Sequence, residues 1–172
     1  RYTSDYPESF APQVPLELAY SGPHPLTDID PVTNMTIGKM VLSPTRTFLP
    51  LAQKMLQEFR PKIKGIIHCT GGGQTKVLKF TDKGHIVKDN LLETPQLFKL
   101  IQQASGATYS EMYRVFNMGH LLEVYTDSET AQTLVEMANS FGIEAQIIGR
   151  VESSEKKMLS VHAPGEVLEY FE

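Results

Sequence analysis

Three consecutive glycines, Gly71-Gly72-Gly73, follow within two residues of the short, nearly continuous apolar run Lys64 to Cys69. A glycine run costs backbone entropy, and after a buried strand it marks a loop that takes positive φ angles or lets a ligand approach the main chain closely. If the residues that follow begin a helix, the loop amides and the helix N-terminus form an anion site, with phosphate as the natural guest. The whole transition reads His68-Cys69-Thr70-Gly71-Gly72-Gly73-Gln74-Thr75-Lys76. It fits neither the Walker A pattern nor G-x-G-x-x-G, so a plain surface loop competes evenly with an anion site on these residues alone.

The rest of the chain places this loop in an α/β context. Pro7, Pro12, Pro15, Pro23, Pro25 and Pro31 crowd the first 34 residues, which show neither helical nor alternating periodicity and read as an irregular arm up to residue 37. From Gly38 onward β-prone runs alternate with amphipathic stretches. Lys39 to Leu42 is the first strand candidate, followed by turn chemistry and a helix over Phe48 to Phe59, where Pro50 is tolerable in the first turn. A strand over His85 to Lys88 precedes a helix with Thr94 as cap, Pro95 at its first position and Gly106 past its end. Thr108-Tyr109-Ser110-Glu111 has the spacing of a capping box. Leu121 to Tyr125 reads as a strand and Ser128 to Phe141 as a helix. Glu144 to Val151, Met158 to His162 and Val167 to Phe171 complete the strands. The expectation is an α/β (α+β) domain, a mixed β-sheet covered by helices.

At 172 residues the chain buries roughly 70% of its unfolded surface, enough for one core without disulfides or a structural metal. A net charge of -4 argues against nucleic acid as a partner, because phosphate neutralisation needs a basic face. No apolar run reaches membrane-span length. The single cysteine, Cys69, points to neither disulfides nor a cysteine-based zinc site, making the cytoplasm the expected compartment. The chain opens on Arg1 rather than Met, which suggests a piece of a longer protein.

His68 ends its strand in the apolar setting Gly65-Ile66-Ile67, where a buried histidine satisfied by the backbone is a common outcome. Its place beside the glycines argues for holding or protonating a ligand, since imidazole is suited to proton movement near neutral pH. In Glu111-Met112-Tyr113-Arg114-Val115-Phe116-Asn117-Met118-Gly119 two readings balance. One is a packed turn with Phe116 buried, Asn117 bonding the backbone and Gly119 at positive φ; the other puts Arg114 and Asn117 at a ligand. Arg46, in Ser43-Pro44-Thr45-Arg46, could fork onto phosphate or carboxylate, although a solvated arginine is more usual. His24, His85, His120 and His162 lack metal-ligand spacing and read as surface or structural residues.

Taken in order, Leu42-Ser43-Pro44-Thr45-Arg46, His68-Cys69-Thr70-Gly71-Gly72-Gly73, Glu111 to Gly119 and Ile148-Gly149-Arg150-Val151 resemble the C-terminal domain of the aminoimidazole ribonucleotide synthetase family, the phosphoribosylformylglycinamidine cyclo-ligases. The resemblance covers about Gly38 to His162. It implies an ATP-dependent ligase of de novo purine biosynthesis that cyclises formylglycinamidine ribonucleotide to aminoimidazole ribonucleotide. It also implies an N-terminal domain, outside this chain, that carries most of the ATP and Mg2+ machinery and makes the enzyme a homodimer, so that the fragment alone is inactive. On this resemblance His68 is the catalytic candidate. Thr70, Gly71, Gly72 and Gly73, then Arg114 and Asn117, then Arg46, are the candidates for substrate and phosphate binding, with no metal ligand among them. Leu121 stands where the family commonly has a second glycine, and the arm matches nothing in the family's common form. Those two departures favour the alternative of a non-catalytic binding module of the same fold. A relative with another substrate, such as selenophosphate synthetase, the hydrogenase maturation protein or thiamine-monophosphate kinase, is a further alternative, disfavoured by Tyr113-Arg114 to Gly119.

Overall fold

Thr36 accepts a hydrogen bond from Lys39 N at 3.3 Å and caps a short helix, α1 (Ile37–Val41), where a strand over Lys39 to Leu42 is expected. The cap and the burial of Met40 outweigh the β propensity of a four-residue run. In the computed structural model residues 11–15 and 22–171 are described, so Pro7 and the first ten residues of the expected arm lie outside them. Within the described part, the arm turns back on itself through an isolated bridge between Ile29 and Thr36. Asp30 pins it: its carboxylate accepts from Thr33 N at 2.7 Å, Thr33 Oγ1 at 2.8 Å and Gln96 Nε2 at 3.1 Å.

The remaining elements, in order, are α2 (Leu49–Phe59), β1 (Gly65–His68), a 3-10 helix (Gly73–Phe80), β2 (Gly84–Lys88), α3 (Gln96–Ser105), α4 (Tyr109–Val115), β3 (Leu122–Tyr125), α5 (Ser128–Ser140), β4 (Gly149–Glu152), β5 (Lys157–Ala163) and β6 (Glu166–Phe171). The capping box forms as its spacing predicts, with Thr108 Oγ1 accepting from Glu111 N at 3.2 Å and Glu111 Oε2 accepting from Thr108 N at 2.9 Å. At α3 the cap position falls to Pro95 rather than Thr94, while Gly106 ends the helix in the left-handed region as expected. β4 is shorter than the run Glu144 to Val151. Asn90 accounts for this, because its side chain donates to Ile147 O and its carbonyl accepts from Gln146 Nε2, both at 2.7 Å, so strand pairing starts only at Gly149.

The strands form two sheets. β1 and β3 make an antiparallel ribbon, and the other four make a mixed sheet in the order β4-β2-β5-β6, with β2 and β5 parallel. Side chains alternate across the ribbon, and this divides the interior. On one face Ile66, Leu122 and Val124 join Leu51, Met55, Ile63, Leu134, Met137 and Ala138 beneath α2 and α5. On the other, Ile67, Cys69 and Tyr125 meet Leu78, Ile86, Met112, Leu159, Val161 and Leu168 between the ribbon and the four-stranded sheet. The 3-10 helix and α4 close the second cluster. Among the described residues no helix is long and apolar enough to cross a membrane.

Candidate functional site

The glycine loop leaves the end of β1 and enters the 3-10 helix. Gly71, Gly72 and Gly73 have φ of 63°, 103° and 49°, so the sequence uses the one residue type that adopts this path without strain. For Gly73 the requirement is also spatial, since a Cβ there would lie 2.5 Å from both Tyr113 O and Phe116 O. The loop is seated directly on the end of α4. Its far side is open, with nothing within 4 Å of a Cβ at Gly71.

Two side chains close the neck of the loop. Lys76 Nζ donates to His68 O at 2.9 Å and to Thr70 O at 2.7 Å, and Thr75 Oγ1 donates to Gly72 O at 2.9 Å. Gly71 and Gly72 therefore sit at the tip beside an ammonium group, and among the described residues their amides meet no protein acceptor. Successive glycine N–H groups beside a cation form a concavity suited to anionic oxygens.

His68 borders this loop from the α2 side of the ribbon. Its Nδ1 is 3.2 Å from Thr70 Oγ1, and its ring meets Phe48 edge-on at 6.1 Å between centroids. The structure thus brings His68, Thr70 and the three glycines together. Asn117 joins them through its backbone, because its carbonyl accepts from Gln74 Nε2 at 2.5 Å. The Asn117 side chain is spent on its own turn: Oδ1 accepts from Gly119 N at 2.9 Å, with Gly119 at φ 106°. That is the packed-turn arrangement, although Phe116 is half-buried rather than buried. Arg114 lies over the Tyr170 ring, 5.5 Å from its centroid, and Arg46 is exposed in the turn between α1 and α2. Because α1 is a helix, that turn joins two helices and not a strand to a helix.

Behind the loop lies a charged pair absent from the expected site. Lys88 and Glu123 have side chains only 2% and 3% exposed, with Nζ 2.5 Å from Oε1. Lys88 Nζ also donates to Gln74 O and Gln74 Oε1, each at 3.0 Å, and Glu123 Oε2 accepts from Tyr125 OH at 2.8 Å. The surroundings respond as burial requires. Desolvation, reinforced by the Glu123 charge, pushes the Cys69 thiol up to about 12 and raises the Tyr125 phenol. Burial brings His120 down to about 4, so it stays neutral and accepts from Leu92 N through Nε2 at 2.8 Å. The available signal was a charged residue inside each of two apolar strands, Lys88 after His85-Ile86-Val87 and Glu123 within Leu122 to Tyr125. Periodicity alone does not pair them.

A cavity of about 660 Å³ lies on the other side of Tyr113, bordered by Leu91, Thr94, Lys99, Tyr109 and His162, and is separate from the glycine loop. Among the described residues no group of three or more His, Cys, Asp or Glu side chains could hold a metal ion.

Fold and loop together define an α/β domain that presents a left-handed glycine loop at the end of a strand, backed by a buried ion pair. Residues 37–162 match the family model described as AIR synthase related protein, C-terminal domain, and the chain belongs to that family. It is 37% identical over 119 residues to the phosphoribosylformylglycinamidine cyclo-ligase of Methanocaldococcus jannaschii, covering 69% of this chain and 34% of that one. To the same-named protein of Caldicellulosiruptor saccharolyticus it is 32% identical over 136 residues, covering 77% and 39%. The chain therefore spans between a third and two-fifths of the length of these relatives. Among solved structures, E. coli HypE, a hydrogenase maturation protein, superimposes with a TM-score of 0.53 at 18% identity, covering 80% of this chain and 44% of HypE, which establishes the shared fold.

Proposed function

We propose that this chain is the C-terminal part of an ATP-dependent phosphoribosylformylglycinamidine cyclo-ligase acting in purine biosynthesis. The observation that carries the reading is the Gly71-Gly72-Gly73 loop, whose left-handed path and tip amides suit phosphate oxygens, with His68 at its rim. In the proposed reaction the amide oxygen of formylglycinamidine ribonucleotide attacks the γ-phosphorus of ATP and ADP leaves. An internal nitrogen of the substrate then attacks the activated carbon, and phosphate departs as the imidazole ring closes. Gly71 and Gly72 amides, Thr70 and Lys76 would hold anionic oxygens, and His68 would move a proton at the amide. Arg114, Asn117 and Arg46 are assigned supporting roles in substrate binding. For Asn117 the available group is its backbone, and for Arg114 engagement requires leaving the Tyr170 ring.

Magnesium and most ATP contacts are assigned to the N-terminal domain of the longer protein, which the proposal also makes the dimerisation unit. Val41 and Leu42 at the end of α1 and Leu49 at the start of α2, beside Phe48 in the chain, are exposed and offer the apolar surface against which that domain would close the site. The test uses the full-length parent protein with formylglycinamidine ribonucleotide, ATP and magnesium. Aminoimidazole ribonucleotide and ADP should form in equal amounts, and His68→Ala should lower kcat by about 10²- to 10⁴-fold with an unchanged circular dichroism spectrum. A parent protein that makes no aminoimidazole ribonucleotide refutes the function. Near-normal turnover of His68→Ala removes that residue from the chemistry.

A further inference from the structure

The geometry points to Lys88 and Glu123 as positioning residues: a buried ion pair that, through Gln74, fixes the glycine loop against the Asn117 turn. The inference rests on reading that loop as the phosphate site, and it adds residues that touch neither substrate nor phosphate.

Lys88 is the last residue of β2 in the four-stranded sheet, and Glu123 is the second residue of β3 in the ribbon. Strand pairing does not join these two sheets. The ion pair ties them side chain to side chain. All three ammonium protons are committed, to Glu123 Oε1, Gln74 O and Gln74 Oε1. Gln74 itself is fully buried and follows Gly73 directly. Its Nε2 continues the chain of bonds to Asn117 O, so one ammonium group holds both the first turn of the 3-10 helix and the turn on which Gly73 rests.

Stability does not account for burying these charges. An apolar pair of similar volume often matches or exceeds a buried ion pair, because two ions must be stripped of water. What an apolar pair lacks is any donor for Gln74 O and Oε1. Loss of those bonds frees the residue next to Gly73 to shift, and with it the direction of the Gly71 and Gly72 amides.

The discriminating variant is the double substitution Lys88→Met with Glu123→Leu in the full-length parent protein. It should still fold, with a melting temperature a few degrees below that of the wild type, because relief from burying two ions offsets only part of the cost of leaving Gln74 O, Gln74 Oε1 and Tyr125 OH without partners. Exchange of the hydrogen-bonded amides within residues 71–76, Thr75 N–H to Gly72 O among them, should rise by about tenfold or more, as expected for lost hydrogen bonds to a charged group. KM for formylglycinamidine ribonucleotide should rise by about tenfold, with a smaller change in kcat. Wild-type exchange over residues 71–76 and unchanged KM in the folded double variant would overturn the inference. If the double variant does not fold, Gln74→Met decides on the same two measurements, since it leaves the Lys88–Glu123 pair and the Lys88 bond to the residue 74 carbonyl in place and removes the two side-chain bonds of Gln74, to Lys88 Nζ and to Asn117 O. Amide exchange also separates the two claims: a parent protein without cyclo-ligase activity defeats the proposed function, while exchange at residues 71–76 still reports on the network.

Discussion

Replacing Gly73 with alanine tests how closely the loop is seated on α4. Two penalties add. At φ 49° a residue with a Cβ pays about 1–2 kcal/mol for the left-handed conformation. The new Cβ would also stand 2.5 Å from Tyr113 O and Phe116 O, against a carbon–oxygen separation of about 3.3 Å at close contact, so each carbonyl must yield by about 0.8 Å. Neither carbonyl belongs to a flexible side chain. Tyr113 O lies in the last turn of α4, and Phe116 is held by its own N–H to Met112 O at 2.8 Å. Forced overpacking of this kind costs about 1–3 kcal/mol, giving a total of about 2–5 kcal/mol. Gly71→Ala is the matched control, because φ is 63° there and nothing lies within 4 Å, leaving the conformational penalty alone. Urea denaturation followed by far-ultraviolet circular dichroism should place Gly73→Ala about 1–3 kcal/mol below Gly71→Ala, with equal m-values. Equal stabilities for the two variants would show that the loop does not rest on the α4 carbonyls.

Other measurements address the interior. His120 titrates at about 4 in the folded protein against an ordinary value of 6.5, so between these values the unfolded chain binds more protons and stability falls as pH is lowered. The loss reaches about 3 kcal/mol below pH 4, and His120→Gln, which retains an acceptor for Leu92 N, should flatten the slope of urea stability between pH 4 and 6.5. An unchanged slope would mean that His120 is not held neutral. Cys69, 2% exposed with its thiol pushed up to about 12, should resist thiol reagents at pH 8 until the protein unfolds; rapid labelling under native conditions would place it at the surface. Gly149→Ala sets a Cβ 1.9 Å from Val87 O, so β4 should detach from β2, seen as faster exchange of the β2–β4 amides with the β5–β6 pairing retained. Native protection of β4 in that variant would contradict the register.

Local chemistry made much of this structure readable in advance. The capping box at Thr108, the glycine stop at Gly106 and the helices α2 and α5 are decided by residues a few positions apart, and they form where the pattern puts them. The same holds for the left-handed glycine loop. Failures fall where a distant partner decides. Asn90 donates to the Ile147 carbonyl and accepts from the Gln146 side-chain amide, and so ends a strand that composition alone would extend. The exception is α1, where a local cap, Thr36, outweighs a β-prone run. The site shows the same division more sharply. His68 and the glycines are contiguous and could be picked out together, but Lys88 and Glu123 are 35 positions apart and meet because two separate sheets converge behind the loop. The alternation of the β1–β3 ribbon explains why one short segment serves both. His68 shares its face with Ile66, Leu122 and Val124 and is fixed from α2, whereas Cys69, Glu123 and Tyr125 look toward the four-stranded sheet. A one-residue slip of β3 would put Glu123 beneath α2 and leave Lys88 buried without a counter-charge, so the ion pair makes that register too costly to populate.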